Sequence, residues 1–591
     1  MKIRERIKKL RELMKENDIQ AWIVPSADPH QSEYVADRWK SRAWISGFTG
    51  SAGTVVIMSD KAGLWTDSRY FIQADRELEG SGIKLFKMKV EGVPEMEEWL
   101  NEQLAEGDTI GFDGKCMSVA QTEGLKAKVG EGINFKTDLD LIDQIWSDRP
   151  AIPMGKVENY PADLCGETRK EKLERVRNKM AEKDCNGYLV TALDSVAWLY
   201  NLRGQDVEYN PVAIAYAFVS DEDAYLFIKD EKLDEDIRKK LSDSGIIIKD
   251  YDAIIGFLNS FNDKKVLLDP GKTSIRLKAA LPDSCEIDEE TDLVTVMKAV
   301  KNETELQGFR KVHIKDGVAL VKWLKWLDEA AGKQDLNEWK IAEKLAEFRS
   351  QQQNYRGPSF HPIVGYRENG AIVHYSPSED ESTEVGGEGV LLTDTGGQYF
   401  EGTTDITRTF SLGNPAEKEK EIFTMVLKGH IDLAKARFPK GYSGKMVDTF
   451  AGAPLWAMGR DYKHGTGHGL GQYLNVHDGP GYYQIRNTHD TELQPGMVLS
   501  NEPGFYLEGE FGVRVENIVV VTEKEKTEYG TFYGFETISY CPIDTSLIDK
   551  EAMTADQIEW LNEYHKTVFE KLSPHLSDDE KAWLKEKTKA I

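Results

Sequence analysis

The chain has 591 residues, of which 40% are hydrophobic and 30% are charged, and its formal net charge at pH 7 is -26. This length exceeds what one hydrophobic core usually serves, so we expect a soluble protein of several domains. The acidic charge argues against a nucleic-acid partner and against binding to an anionic membrane surface.

The cysteines indicate neither a disulfide framework nor a thiolate zinc site. The five of them are scattered along the chain and show no CxxC spacing. No apolar run is long enough for a signal peptide or a membrane span. We therefore expect a cytoplasmic protein in a reducing compartment.

The first 300 residues contain a repeat. Each copy has a charged helix pattern followed by buried-strand patterns, at 3–16, 19–26 and 55–65 in the first copy and at 168–183, 185–192 and 216–227 in the second. The spacing from an Ala-Trp pair to a glycine is identical at Ala43 to Gly50 and at Ala197 to Gly204. This agreement favours duplication of one α/β unit over chance similarity.

Two boundaries divide the chain. A polar stretch with three prolines at 146–163 is typical of a linker. Asn302 and Glu305 have the form of a helix N-cap and its reciprocal partner, and they open a long helix pattern. Two further capped patterns begin at Thr554 and Ser577 in the tail. We predict domains at 1–155, 156–300 and 301–545, followed by a helical extension at 546–591.

Acidic residues interrupt the apolar strand patterns of the third domain. Asp394 lies in one strand pattern, and Asp405 lies in the segment that returns beside it. Farther along, Glu502 ends a strand pattern, and Glu516 lies with Arg514 in a single predicted β run over 511–521.

Each acidic residue taken alone has an ordinary alternative role, such as forming a turn or facing solvent. Burying four carboxylates in one core without a countercharge would cost too much free energy. We therefore expect two divalent ions among them, with neutral His468 as a fifth ligand. Five protein ligands are too many for a four-coordinate zinc site that keeps an open position. Oxygen-rich ligation favours Mn²⁺, with Zn²⁺, Co²⁺ and Fe²⁺ as alternatives.

The segment KHGTGHGLG at 463–471 has glycine at every second position. If the segment is extended, its glycines leave one face bare and His464, Thr466 and His468 share the other, so backbone or ligand can approach closely. We expect one imidazole to reach the metals and its neighbour to line the pocket. A flexible glycine loop is the alternative.

Several segments carry a resemblance to a known family. In the second half they are AIVHY (371–375), LLTDTGGQYFEGTTDITRTF (391–410), HGTGHGLGQYLNVHDGP (464–480) and LSNEPGFYLEGEFGVRVEN (499–517). They resemble the metal-dependent Xaa-Pro aminopeptidases, known as aminopeptidase P, of the pita-bread fold. WTDSRYF (65–71) and TALDSVAWLYNLRG (191–204) extend the resemblance over the whole chain. It implies an α/β protein with two related creatinase-like N-terminal domains before a pita-bread metallopeptidase domain.

The resemblance also implies residue roles. The residues that match the family's dinuclear ligands, with Asp405 and Glu516 bridging, are Asp394, Asp405, His468, Glu502 and Glu516. The residues that match its pocket and proton-handling groups are His374, His464, His477 and Arg514. Of the histidines, His374, His468 and His477 are expected to contact substrate. Arg69 matches an arginine that the N-terminal domain contributes to substrate binding across a dimer interface, so a homodimer is expected.

The implied activity is hydrolysis of the N-terminal Xaa-Pro bond of peptides by a metal-activated hydroxide. A prolidase restricted to dipeptides, a methionine aminopeptidase and a non-catalytic pita-bread peptide-binding module are the alternatives. The duplicated N-terminal unit and the helical tail favour the aminopeptidase, and the complete ligand set argues against a non-catalytic module. The sequence departs from the family at His361, Pro362, Tyr366 and Arg367, where small residues are expected near the substrate pocket.

Overall fold

The computed structural model describes residues 2–483 and 491–591, and for residues 481 and 482 it describes the backbone alone. Two compact units are present, Met1–Ala162 with Glu167–Thr295 and Asp163–Gly166 with Val296–Ile591. Among the described residues, none of the helices combines the length and the apolar character that crossing a membrane requires.

The first half of unit 1 is a six-stranded sheet with helices against it. Its strands are β1 Ala21–Pro25, β2 Thr54–Met58, β3 Ala62–Thr66, β4 Lys84–Lys87, β5 Thr109–Phe112 and β6 Asn134–Lys136. Its helices are α1 Ile3–Glu16, α2 Ser41–Ser46, α3 Phe71–Glu77, α4 Met96–Gln103, α5 Val119–Lys128 and α6 Leu141–Ile145. The strand order is β4-β3-β2-β1-β5-β6. Helix α1 buries Ile7, Leu10 and Met14, which recur at helical spacing.

The next part of the chain builds a second six-stranded sheet. The strands of this part are β7 Glu158–Asn159, β8 Gly187–Val190, β9 Leu202–Arg203, β10 Ala215–Ser220, β11 Ala224–Ile228, β12 Ile246–Lys249, β13 Lys265–Leu268 and β14 Glu286–Glu289. Its helices are α7 Ala162–Cys165, α8 Arg169–Glu182, α9 Leu193–Leu199, α10 Glu235–Asp243, α11 Ile254–Asn259, α12 Ile275–Lys278 and α13 Leu293–Ala299. The sheet order is β12-β11-β10-β8-β13-β14.

The two sheets share one topology. The central strands β1 and β8 each pair antiparallel with one neighbour, β2 or β10, and parallel with the other, β5 or β13. The repeated Ala-Trp pairs lie in the corresponding helices α2 and α9. The predicted pair of related α/β domains is therefore confirmed.

Unit 2 contains the strands and helices of the third predicted domain and the tail. The strands are β15 Tyr355–Pro358, β16 Ile363–Tyr366, β17 Gly389–Thr395, β18 Gly397–Tyr399, β19 Gly402–Thr403, β20 Ile406–Leu412, β21 Phe438–Pro439, β22 Gly467–Gly469, β23 Asp478–Tyr483, β24 Val498–Asn501, β25 Gly504–Leu507, β26 Phe511–Arg514, β27 Asn517–Thr527 and β28 Gly530–Thr537. The helices are α14 Glu303–Ala330, α15 Glu338–Ser350, α16 Glu417–Ala434, α17 Gly444–Val447, α18 Thr449–Trp456, α19 Ala555–Leu572 and α20 Asp578–Lys587.

Two sheets of unit 2 position the candidate site. One has the order β16-β17-β20, and the other, within the described residues, has the order β21-β28-β27-β24-β22-β23. The predicted carboxylate ligands come from both sheets, because they lie at or next to the ends of β17, β20, β24 and β27.

The predicted helix starts are confirmed. Asn302 caps α14 with the reciprocal contact from Glu305, and Thr554 and Ser577 cap α19 and α20. Gly317 lies within α14, and only glycine fits there without a shift, because a Cβ atom would stand 2.5 Å from the carbonyl oxygen of Tyr540. The mid-helix glycine therefore permits close packing of α14 against the rest of unit 2.

The single β run predicted over 511–521 is wrong. The chain instead forms β26, which pairs with β25, and β27, which pairs with β24. Between them the Glu516 N–H donates to the carbonyl oxygen of Thr407 at 3.1 Å. Arg514 thus ends β26, and Glu516 lies in the break before β27, which alternation in the sequence does not reveal.

Candidate metal centre

The five predicted ligands lie together in unit 2. Asp394 is the penultimate residue of β17, and Asp405 directly precedes β20, which pairs with β17. Glu502 directly follows β24, Glu516 directly precedes β27, and His468 is the middle residue of β22. The β27-β24-β22 order places the last three side by side.

Distances within this cluster are short enough for shared cation binding. One ligand atom from each of Asp405, His468 and Glu516 lies within 4.8 Å of the others. The His468 Nε2 atom is 3.5 Å from Asp405 Oδ2 and 3.5 Å from Glu502 Oε1. Asp394 lies close enough to act electrostatically on Asp405, Glu502 and Glu516.

The carboxylates are buried and incompletely hydrogen bonded. Asp394 is 8% exposed, Asp405 is 4% exposed and Glu516 is 1% exposed. Asp394 Oδ1 and Glu516 Oε1 have no hydrogen-bond partner among the described residues. An ionised carboxylate in this state requires a positive charge nearby. The donor set therefore fits divalent cations.

The pKa values of the carboxyl groups also show that burial and mutual repulsion disfavour their ionised forms. Burial, with repulsion from Asp394 and Glu502, raises the pKa of Asp405 to about 6 against the opposing effect of His468. Burial and the neighbouring carboxylates raise the pKa of Glu516 well above its usual range. A cation would remove this repulsion, because it stabilises the ionised form of every carboxylate around it.

Side chains that the sequence analysis did not select orient the ligands. Thr407 Oγ1 donates to Glu516 Oε2 at 2.8 Å, and Ser500 Oγ donates to Glu502 Oε1 at 3.2 Å. The His468 Nδ1 atom is 3.0 Å from the carbonyl oxygen of Gly469. Nδ1 must therefore carry the proton, which leaves the Nε2 lone pair for a cation. Thr407 could have been found from sequence, since it alternates with Asp405.

The glycine-rich segment is extended over a shorter stretch than predicted. Only Gly467–Gly469 forms a strand, and its pairing with β23 is irregular after His468. Within it, a Cβ atom on Gly467 would stand 2.0 Å from the carbonyl oxygen of Ser500. The predicted close backbone approach therefore occurs at Gly467, and it lets His468 reach the carboxylates.

A chain of hydrogen bonds links His464 to the cluster. His464 Nε2 is 2.9 Å from the hydroxyl of Tyr506, and Arg514 NH1 donates to this hydroxyl at 2.6 Å. Arg514 NH2 donates to Asp394 Oδ2 at 2.6 Å. His464 thus contacts the cluster through two side chains. The sequence analysis missed Tyr506, which alternates with Gly504 in β25.

His477 lies beside the cluster, and the turn that carries His374 contacts Arg514. The ring of His477 stands against that of His468, with 4.3 Å between the ring centroids. His374 is half-buried in a turn, and the preceding carbonyl oxygen, of Val373, accepts a hydrogen bond from Arg514 NH2 at 3.4 Å. His477 therefore stands next to a predicted ligand, whereas the turn of His374 is tied to Arg514, which also donates to Asp394.

Arg69 belongs to unit 1, whereas the cluster belongs to unit 2. Its Nε and NH2 atoms donate to the two oxygens of Asp67 at 2.9 and 2.8 Å. Its role in substrate binding stays a prediction.

Profiles of known protein families match four parts of the chain. The Creatinase/Prolidase N-terminal domain matches residues 6–145 and, in a second form, residues 148–305. Metallopeptidase family M24 matches residues 307–523, and the C-terminal region of peptidase M24 matches residues 531–591. These matches confirm the predicted creatinase-like and pita-bread architecture.

Named relatives match over nearly the whole length. A probable Xaa-Pro aminopeptidase P from Laccaria bicolor is 41% identical over 98% of this chain and 92% of its own length. The crystal structure of an X-prolyl aminopeptidase from Caenorhabditis elegans, described as a cytosolic enzyme with a di-nuclear active site, superposes with a TM-score of 0.95 at 35% identity and covers 100% of both chains. An Xaa-Pro dipeptidase from Bacillus anthracis has a TM-score of 0.52 at 24% identity, and 99% of that chain covers 64% of this one. This last likeness concerns the fold alone.

Proposed function

Because the chain belongs to the aminopeptidase P family of the M24 metallopeptidases, we propose that it removes the first residue of peptides whose second residue is proline. The chain is a hydrolase of metallopeptidase type. The observation that carries the proposal is the buried cluster of mutually repelling carboxylates, in which Asp394 Oδ1 and Glu516 Oε1 have no hydrogen-bond partner among the described residues. The names of the full-length relatives support the Xaa-Pro specificity.

The residues that would hold two divalent ions are Asp394, Asp405, His468, Glu502 and Glu516, and we propose that Asp405 and Glu516 would be shared by both ions. Four carboxylates and one imidazole favour Mn²⁺, with Zn²⁺, Co²⁺ and Fe²⁺ as alternatives. When bound, such ions activate water and polarise the scissile carbonyl.

Glu502 and His477 are proposed to transfer protons during the reaction. Burial raises the pKa of the Glu502 carboxyl, which suits a group that accepts a proton and later returns it. The leaving group of an Xaa-Pro bond is a secondary amine that requires a proton. The ring of His477 stands 4.3 Å from that of His468, whose Nε2 atom is 3.5 Å from Glu502 Oε1.

His374 and Arg514 are proposed to act at the substrate. His374 would contact the proline side of the peptide and steady the negative charge that develops on the carbonyl oxygen. Arg514 holds Asp394 and the turn that carries His374. His464, which contacts the Tyr506 hydroxyl, would line the substrate pocket. Arg69 would contribute a further contact to the substrate.

A homodimer in the cytoplasm is part of the proposal. Five large apolar side chains are exposed on the segment 442–458, and they are Tyr442, Met446, Phe450, Trp456 and Met458. An exposed apolar group of this size supports an interface with a second copy. The cytosolic description of the Caenorhabditis elegans enzyme supports the location. The domain limits given above are retained as a proposal.

The test is a mass-spectrometric time course with Mn²⁺-loaded protein on Arg-Pro-Pro, Arg-Ala-Pro and N-acetylated Arg-Pro-Pro peptides and on the dipeptide Arg-Pro. We expect fast release of arginine from the first peptide and release about 10- to 200-fold slower from the alanine peptide, because alanine fills less of the pocket. The N-acetylated peptide should release none. Equal rates on the proline and alanine peptides would indicate a general aminopeptidase. Activity confined to the dipeptide Arg-Pro would indicate a prolidase.

A further inference from the structure

The strand and turn that depart from the family pattern are organised by one buried carboxylate. Glu338 opens α15 and is fully buried. Its Oε1 atom accepts from the Tyr366 N–H at 2.7 Å and from Asn369 Nδ2 at 3.0 Å. Its Oε2 atom accepts from the Tyr375 hydroxyl at 2.6 Å and from the Thr383 N–H at 2.9 Å. Four neutral donors thus compensate one buried charge.

These donors bracket the turn that carries His374. Tyr366 ends β16, which pairs with β17 so that Ile363 lies opposite Asp394. Tyr375 directly follows His374. Glu338 therefore ties the start of this loop to its end.

The same loop is also held by β26, the strand that contains Gly512 and Arg514. Val373 directly precedes His374, and its carbonyl oxygen accepts from Arg514. At Gly512, a Cβ atom would stand 1.8 Å from the carbonyl oxygen of Gly370, so β26 lies directly against the loop. His374 is consequently fixed between the Arg514 contact on one neighbour and the Glu338 contact on the other.

We propose that Glu338, acting through the Tyr375 hydroxyl, is the positioning residue that sets the place of His374 for the hydrolytic reaction. The unusual Tyr366 and Arg367 contribute to this loop in a different way. Both donate to the carbonyl oxygen of Glu388, so they brace the loop against the segment before β17. The inference rests on the proposed role of His374.

The experiment compares Tyr375→Phe with Tyr366→Phe in metal-loaded protein. Tyr375→Phe removes a donor to Glu338, whereas Tyr366→Phe removes a hydroxyl from the same loop and leaves the Glu338 contact of its N–H in place. We expect Tyr375→Phe to lower kcat about 10- to 100-fold with metal content unchanged, because small displacements of a reacting group are costly. Tyr366→Phe should keep kcat within about twofold. Glu338→Gln, if it folds, should resemble Tyr375→Phe.

Each change is then repeated in a His374→Ala background. If Tyr375 acts through His374, Tyr375→Phe causes no further loss there, since coupled residues are not additive. An equal fold-loss in both backgrounds overturns the inference, and so does full activity of Tyr375→Phe in the wild-type background. Full activity of His374→Ala on the Xaa-Pro peptide instead overturns the proposed role of His374 itself, and the positioning role with it.

Discussion

Glu338 and Glu516 are both buried glutamates of unit 2, and their surroundings differ in hydrogen bonding. Glu338 accepts from four neutral donors and needs no cation. Glu516 accepts from Thr407 at Oε2, while its Oε1 has no hydrogen-bond partner among the described residues and other carboxylates stand beside it. Burial of an acid alone therefore does not indicate a metal site. The informative feature is a buried oxygen without a donor next to further negative charge.

The largest effect is expected from removing the unsatisfied glutamate. Glu516→Ala should lower kcat by about 10³-fold or more and reduce bound metal below two ions per chain, because this side chain would be shared by both ions. Metal is measured by inductively coupled plasma mass spectrometry beside the peptide assay. Glu510→Ala, at an exposed ion pair with Lys418, is the control and should match wild type. Wild-type activity that survives exhaustive chelation would contradict the metal requirement.

Removing a neighbour that lies outside the ligand set should separate catalysis from metal binding. His477→Ala is expected to lower kcat by ~10²–10⁴-fold with metal content near normal, because its proposed task is proton transfer. Bound metal and peptide hydrolysis are measured as for Glu516→Ala. A metal-free His477→Ala protein would show that this histidine serves in ligation or folding.

The repulsion within the cluster should appear as a pH dependence of stability in the metal-free protein. The pKa of Asp405 is about 6 in the folded chain against an ordinary value of 3.8, because burial disfavours the ionised form, so the folded state holds this proton more tightly. This proton therefore adds on the order of 2–3 kcal/mol to the free energy of unfolding. The contribution is fully present below about pH 4 and is lost as pH rises through about 6.

The measurement is urea unfolding of chelated wild type and chelated Asp405→Asn across this range. Asparagine does not titrate, so the stability of wild type relative to the variant should fall as pH rises. A difference that stays constant or grows with pH would contradict the interpretation. Saturating Mn²⁺ should reverse the slope, because protons compete with metal for the same oxygens.

The smallest effect is expected in a hydrogen-bonded network that, among the described residues, reaches the predicted ligands only through the backbone carbonyl of Glu516, to which Arg408 donates. The hydroxyl of Tyr564 in α19 accepts from Arg408 NH2 at 2.7 Å and donates to the carbonyl oxygen of Cys541 at 2.9 Å. Tyr564→Phe should lower the free energy of unfolding by about 1 kcal/mol and leave kcat within about twofold. Tyr529→Phe, at a side chain that is 85% exposed, is the control. A large loss of metal in Tyr564→Phe would show that the tail supports the ligands directly.

Sequence patterns predicted the features that depend on neighbouring residues. The caps of α14, α19 and α20 follow from side chains three residues apart, and the duplication follows from the order and spacing of the two α/β units. Sequence patterns predicted strand limits less well where a strand is interrupted. The break at Glu516 depends on Thr407, which lies 109 positions away in the chain, and alternation over 511–521 carries no sign of it.

The sequence by itself determined which residue types are available for metal chemistry and that glycine must stand beside His468. Only the tertiary structure decided which carboxylates face one another, since the ends of β17, β20, β24 and β27 meet through pairing between distant segments. It also decided that Arg514 holds Asp394 and that Glu338 holds the loop of His374. The physical reason is that capping and periodicity act within a few residues, whereas hydrogen-bond satisfaction of a buried charge depends on every segment that packs around it.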